Sequence, residues 1–372
     1  LLFLIISCLI INKRDAIIDR NTICYYKSAQ ALFLPVTPVD EINGFELRLG
    51  KHSYLFCENE TPFNNTSSAR IAVNKYASNK LLEMAGLPVP KAVSIHVDEF
   101  KQNKTEEIIA PLKFPLVIKP VDGSLGIGVL CNIQTLKQLL LFLTDCFSLY
   151  DHVLIEEFHG KLKSYRVLVF NKRVIGVVQR HPATVTGDGQ HNIQELIDLA
   201  NGEREKINPF LGPIKTDDEC QIKLKELGIG VDYVPSIGEQ VVLCYTSNAT
   251  RGGSYEALGK QICKENRQIM RRVARVLDLG LTGIDIECAD INSPLTQSNG
   301  VILEVNHRPS IRVHEFPLIG TPHFVTKQIM RSFIFRHPLS YLYSLYSNKP
   351  TAFYLRTLLT ISIIGMVYWL GA

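Results

Sequence analysis

What this 372-residue chain lacks narrows it quickly. It contains no Gly-Lys-Ser/Thr triplet, so it has no Walker-type phosphate loop and no second nucleotide domain built on one. Its nine cysteines, at positions 8, 24, 57, 131, 146, 220, 244, 263 and 288, form no Cys-x-x-Cys pair. That scatter argues against a zinc site or a disulfide scaffold and fits a reducing compartment with mostly buried thiols. There is no Lys/Arg-rich block and no low-complexity tract, and the net charge of +4 is too weak a field to suggest a nucleic-acid partner. No internal repeat is visible, and no Ser/His/Asp or Cys/His grouping announces a nucleophile.

The ends also lack something. The chain opens on Leu1-Leu-Phe-Leu-Ile-Ile6 with Lys13 and Arg14 after the apolar run rather than before it, which is the wrong order for a signal peptide and reads as a buried first strand. At the other end, Leu358–Leu370 supplies 13 residues with no charge, short of the ~20 that a spanning helix needs. Aromatics flank it (Phe353 and Tyr354, then Tyr368 and Trp369), and Arg331, Arg336, Lys349 and Arg356 precede it. Two readings stay open: a membrane tether at residues 351–372 that leaves the body in the cytoplasm, or a terminal docking helix.

What is present divides the chain into a pre-domain of residues 1–70, a main domain of residues 71–330 and an aromatic, apolar tail of residues 331–372. Residues 1–70 read as strands and turns. Helical spacing predicts helices over Asn74–Ala85, with Gly86 as cap, near Thr135–Thr144, over Asn192–Asn201, and over Glu265–Leu279 with Ile269, Val273 and Val276/Leu277 on one face and Gly280 as its stop. Strands are expected at Ala92–Val97, Leu116–Lys119, Val153–Glu157, Val241–Tyr245, Gly283–Cys288 and Gly300–Asn306. Arg166–Phe170 and Arg173–Gln179 form a hairpin turned by Asn171-Lys172. Residues 202–240 carry no clear pattern. Hairpins mixed with separated helices favour α+β layers over a doubly wound parallel sheet.

Two distant stretches carry the chemistry. In Phe114-Pro-Leu-Val-Ile-Lys-Pro-Val-Asp-Gly-Ser-Leu-Gly-Ile-Gly-Val129, the glycines Gly123, Gly126 and Gly128 let backbone N–H groups approach phosphate oxygens. Lys119 ends an apolar strand, where a lysine is costly to bury without an anion; a nucleotide phosphate is a natural one. In Gly283-Ile-Asp-Ile-Glu287 and Val301-Ile-Leu-Glu-Val-Asn306, strand alternation puts Glu304 and Asn306 on one face. With Asp285 they offer two carboxylates and an amide oxygen, hard ligands suited to Mg²⁺ or Mn²⁺. Glu156, near the end of its strand, is placed to meet an adenine amine or ribose. Together the stretches imply ATP chemistry.

At these residues the sequence resembles the ATP-grasp superfamily of carboxylate–amine ligases over roughly residues 74–320. It is most similar to the ATP-grasp domains of cyanophycin synthetase and of the fused bacterial glutamate–cysteine ligase/glutathione synthetase. Asn74–Pro90, Tyr165-Arg-Val-Leu-Val169, Gln179-Arg-His-Pro182, the Gly187–Asn201 block, Asn248-Ala-Thr-Arg-Gly-Gly-Ser254 and Arg312-Val-His314 carry that likeness. The resemblance implies two α+β subdomains clamping ATP, behind a small N-terminal α/β region. It implies a ligase that activates a carboxylate as an acyl phosphate and joins it to an amine. It also implies roles: Lys119 on the phosphates, Ser124 and Gly126 in a loop over them, Glu156 at the adenine hinge, Asp285, Glu304 and Asn306 on Mg²⁺, and Arg180 near the γ-phosphate. Amino acids or peptides would be the substrates. Arg312 and Arg308 are candidates to clamp a substrate carboxylate. Relatives are often oligomeric, but no residue pattern marks an interface.

The departures are specific. Gly160-Lys-Leu-Lys-Ser-Tyr-Arg166 is longer than the usual pattern, and Ser164 stands where an acidic ribose ligand is expected. Arg251 stands where relatives often carry a shorter residue, in a loop expected on the acceptor side, and Ser310 replaces a glycine. None removes a metal ligand or Lys119. The competing expectation is an ATP-binding sensor or scaffold of the same fold without turnover.

Overall fold

The computed structural model describes residues 19–121, 128–160, 162–207, 212–297, 299–347 and 349–371. The expected first strand at Leu1–Ile6 and the loop residues Gly123, Ser124 and Gly126 lie outside the described residues. By internal contacts the chain divides into two units, one of residues 1–62, 310–312 and 324–372, the other of residues 63–309 and 313–323. The joints expected at 70/71 and 330/331 instead fall inside the helices Thr66–Val73 and Val325–Arg336.

The first unit pairs the helix Arg20–Ala31 with an antiparallel three-stranded sheet, β1 (Val36–Val39), β2 (Gly44–Leu49) and β3 (His52–Cys57), and with the helix Val325–Arg336. Residues 20–31 are helical, not strand and turn as expected. Asp19 caps the helix by accepting from Thr22 N, and Thr22, Cys24, Tyr25 and Ala29 bury one face. Tyr25, Phe45, Phe56 and Phe333 fill the core, with Phe45 stacked on Phe56 at 4.7 Å. The last helix, Lys349–Gly371, presents Leu358, Ile361, Ile364, Val367 and Trp369 to solvent. Among the described residues no helix is long and apolar enough to cross a membrane.

The second unit holds three sheets. A four-stranded one is built from β4 (Ala92–His96), β5 (Leu116–Pro120), β6 (Leu130–Ile133) and β7 (His152–Glu157), in the order β4-β7-β5-β6. A six-stranded one uses β8 (Lys163–Phe170), β9 (Arg173–His181), β12 (Ser254–Ala257), β13 (Leu281–Cys288), β14 (Val301–Asn306) and β15 (Ile319–Gly320), in the order β14-β13-β8-β9-β12-β15. A ribbon of β10 (Thr184–Thr186) and β11 (Gln240–Val242) closes a small module with the helices Ile193–Ile207 and Asp218–Glu226, around Val185, Ile193, Ile197, Leu224 and Val241. Every pairing in these sheets is antiparallel except β12 with β15.

Alternation along the central strands makes the six-stranded sheet two-faced. Tyr165, Val167 and Val169 of β8 and Ile284 and Ile286 of β13 pack on the helix Lys264–Val276 through Met270, Val273 and Ala274. The expected face of that helix holds at Ile269, Val273 and Leu277, while Val276 is exposed and Met270 and Ala274 widen the buried side. Its stop also differs: Asp278, not Gly280, takes the left-handed conformation (φ 48°). Gly280 is required for space, since a Cβ there would lie 2.3 Å from the Phe63 carbonyl oxygen. Asn64 fixes the start of β13 beside it, donating to the Leu281 and His307 carbonyls and accepting from Gly280 N and Leu281 N.

Candidate active site

The opposite face of the six-stranded sheet is charged. Ser164 and Arg166 of β8 and Asp285 and Glu287 of β13 alternate with the core residues and stand side by side in register, Asp285 beside Arg166 and Glu287 beside Ser164. On β14, Glu304 pairs with Asp285 and Asn306 with Gly283. The register slips by one residue between Asp285 and Ile286, leaving Leu303 as the extra residue of a bulge next to Glu304. Bulges of this kind re-aim neighbouring side chains and recur beside functional sites.

Asp285 is the centre of this face. Arg166 donates to it through Nε (2.6 Å, to Oδ1) and Nη2 (2.8 Å, to Oδ2), and Arg180 of β9 through Nη1 (2.9 Å, to Oδ2). Asn306 Nδ2 approaches the same Oδ2 at 3.5 Å. Burial works to raise its carboxyl, but the guanidiniums of Arg166 and Arg180 outweigh it and hold the group below the usual carboxylate range. Burial likewise opposes the charge on Arg166, and Asp285 more than restores it. Arg180 turns its other edge to Ser164, donating from Nη2 (2.8 Å) and Nε (3.1 Å) to the hydroxyl. Glu304 forms a looser pair with Lys75 at 3.6 Å.

The four-stranded sheet supplies further charged groups. Lys119 of β5 lies one strand from Leu154 of β7 and diagonal to Glu156, with which it forms a close ion pair. The cost of burying Lys119 is therefore met inside the chain by Glu156, and burial alone does not demand a phosphate there. Glu157 Oε1 accepts from Lys113 N (3.0 Å), a strand-end role. Gly128 closes the glycine loop at φ 73°, where a Cβ would sit 3.0 Å from Pro120 Cγ. Groups of both sheets act electrostatically on Glu287. Burial pushes the Glu287 carboxyl up to about 7, and its remaining electrostatic partners are Arg180 and Asp285 on its own sheet and Glu156 and Lys119 on the other.

Of the expected site residues, Lys119, Gly128, Glu156, Arg180, Asp285, Glu304 and Asn306 all belong to this unit. Arg312 belongs to the other, where its backbone N–H donates to Asn21 Oδ1 (3.4 Å). Arg251 proves to be a latch. Its Nη2 meets Asp217 and, at 2.8 Å, Glu219 Oε2, while Glu219 Oε1 accepts from Tyr245 N, Thr246 N and the Thr246 hydroxyl. The guanidinium is thus engaged within the small module. Sequence reading passed over Arg166, Glu287 and Lys75. The signal for the first was present as a charge at a position that alternates out of the apolar face of β8.

Two carboxylates and an amide oxygen on neighbouring strands suit a hard divalent cation that keeps waters and phosphate oxygens as further ligands. No group of three or more His, Cys, Asp or Glu side chains that could hold a metal occurs among the described residues. The described cysteines are all free thiols.

Comparison with known proteins places the fold in a family. Residues 72–204 match the RimK-like ATP-grasp domain. A cyanophycin synthetase from Crocosphaera subtropica is 30% identical over 327 residues, covering 86% of this chain and 37% of that protein. A glutathione biosynthesis bifunctional protein from Desulfotalea psychrophila is 27% identical over 291 residues, covering 76% of this chain and 36% of that one. The chain thus spans little more than a third of the length of these curated relatives. The crystal structure of a bifunctional glutathione synthetase from Pasteurella multocida superposes with a TM-score of 0.60 at 23% identity, over 87% of this chain and 45% of that one, a likeness of fold.

Proposed function

For a chain that belongs to the ATP-grasp superfamily, we propose an ATP- and Mg²⁺-dependent ligase that joins a carboxylate to an amine. The substrates are amino acids or peptides and the product is a peptide or isopeptide bond. The observation that carries this reading is the convergence on Asp285. Two guanidiniums, a neighbouring Glu304 and Asn306, and Lys119 of the four-stranded sheet make a set of groups that can neutralise a transferring phosphoryl group without any protein nucleophile.

In the first step a substrate carboxylate oxygen attacks the γ-phosphorus, the bond to the bridging oxygen breaks, and ADP leaves. In the second an amine attacks the acyl carbon, the carbon–oxygen bond to phosphate breaks, and the amine loses a proton as the amide forms. Arg180 and Lys119 hold phosphate oxygens and offset their charge. Asp285, Glu304 and Asn306 would hold Mg²⁺, which would supply Lewis-acid polarisation of the phosphates. The chemistry further requires that water be kept from the acyl phosphate.

The test is ADP release with Mg·ATP against single and paired amino acids and short peptides, with mass spectrometry of products. ADP release that needs two co-substrates, with a product one water lighter than their sum, supports the ligase. Tight ATP binding without ADP under every pair turns the reading toward an ATP-binding sensor. Fractionation of the chain with and without residues 349–371 separates the membrane-tether reading of the tail from the docking reading.

A further inference from the structure

The helix Lys349–Gly371 is apolar on every side. At 3.6 residues per turn, Leu358, Leu359, Ile361, Ile363 and Ile364 point in different directions around it. Every described side chain from Arg356 to Leu370 is nonetheless exposed. The helix before it, Pro338–Ser347, is one-sided. The Tyr341 hydroxyl donates to the Leu32 carbonyl at 2.8 Å, while Leu339, Leu342, Tyr343 and Tyr346, spaced as one helical stripe, are exposed. Apolar surface on this scale marks a site of association.

Length, shape and charge say with what. The uncharged run Leu358–Leu370 has 13 residues. As helix it is about 20 Å long, against about 30 Å of hydrocarbon in a bilayer. That is enough to enter one leaflet and too little to cross, and no described helix is long and apolar enough to cross. Runs of this length belong in a protein core or at a membrane interface, and the exposure rules out the core. A groove on another protein covers one side of a helix, whereas lipid surrounds it. From Phe316 to Ala372 the sequence carries Lys327, Arg331, Arg336, Lys349 and Arg356 and no Asp or Glu. Arg331, Arg336 and Arg356 are exposed. A second copy of this segment would bring like charges together, while a bilayer with anionic headgroups is complementary to them.

We propose that residues 335–370 form a docking surface for an anionic lipid bilayer, with the helix Lys349–Gly371 embedded in one leaflet and the exposed arginines on the headgroups. The inference rests on the tether reading of the tail, not on the chemistry at Asp285, and adds the class of lipid and the depth of insertion.

The experiment titrates the full chain with vesicles of phosphatidylcholine alone and of phosphatidylcholine mixed with phosphatidylglycerol. The reporter is Trp369, the sole tryptophan and 78% exposed. With mixed vesicles its emission should move to shorter wavelength as the indole leaves water, and the protein should float with the lipid. Phosphatidylcholine alone should bind at least about tenfold more weakly. Arg336→Gln with Arg356→Gln should weaken binding to mixed vesicles by about fivefold for each basic residue removed, leaving binding to phosphatidylcholine in place. Ile361→Asp with Ile364→Asp should abolish both. Because these two side chains are exposed, the thermal unfolding of that variant should match the wild type, which separates lost docking from lost folding. Equal affinity for the two vesicle types overturns the lipid class while the tether reading stands. An emission shift without vesicles that grows with protein concentration, alongside a doubled sedimenting mass, assigns the surface to a second copy and overturns the proposal. Failure to bind either vesicle overturns both the proposal and the tether.

Discussion

On the four-stranded sheet one lysine faces one glutamate, Lys119 with Glu156, whereas on the six-stranded sheet Arg166 and Arg180 share the single carboxylate of Asp285. The first is a balanced pair on neighbouring strands. The second gathers two guanidiniums on one carboxylate, from residues 119 and 105 positions away in sequence, with Glu304 and Glu287 on the same face. A balanced buried pair is replaceable by apolar groups at little cost, while a cluster built on one shared carboxylate tolerates its loss poorly. The difference teaches where a ligand can enter: the closed pair is complete within the chain, whereas the shared carboxylate of Asp285 joins several groups that a ligand can rearrange.

Removing the shared anion should break the contrast most sharply. Asp285→Ala leaves two guanidiniums facing each other and should cost about 3–5 kcal/mol in denaturant unfolding, with no measurable ADP release. Glu304→Ala separates the two properties. Its pair with Lys75 is loose and a third exposed on the glutamate side, worth at most about 1 kcal/mol, so the melting curve should barely move while ADP release falls by about two orders of magnitude or more. Wild-type turnover in that variant would sink the metal assignment. On the other sheet, Lys119→Met strands Glu156 and should lower stability by about 3 kcal/mol. The double variant Lys119→Met with Glu156→Leu should recover most of that loss but not the ATP affinity, as unfolding and nucleotide titration would show. The smallest effect belongs to Arg251→Ala. Glu219 keeps its two backbone N–H donors and the Thr246 hydroxyl, so unfolding should register only about 1–2 kcal/mol; a changed amine preference would mean that Arg251 reaches the acceptor.

The same contrast explains what the sequence discloses. The hairpin turn Asn171-Lys172 is legible because both residues adopt positive φ, 46° and 60°, at a two-residue turn. The helix Lys75–Met84 is legible from spacing, with Asn74 turning out to be its cap rather than its first residue. The helix Arg20–Ala31 is not, because Thr22, Ile23, Tyr25 and Tyr26 favour strands locally and only the buried face against Phe45 and Phe56 decides otherwise. At the site, alternation places Glu304 and Asn306 together without any structure. It does not reveal that Arg166 and Arg180 both close on Asp285, since that depends on the strand order β14-β13-β8-β9. Nor does it reveal that Lys119 is matched internally by Glu156.

The arginine clamp on Asp285 has a thermodynamic corollary. A cation that takes the carboxylate must displace two guanidiniums, and an anion that takes the guanidiniums must strip them from the carboxylate. Either visitor arriving alone leaves the other half of the broken cluster stranded; arriving together, each receives what the other releases. Such a site behaves as a coincidence detector. Magnesium should raise nucleotide affinity by the same factor by which nucleotide raises magnesium affinity, and neither should bind with much strength by itself.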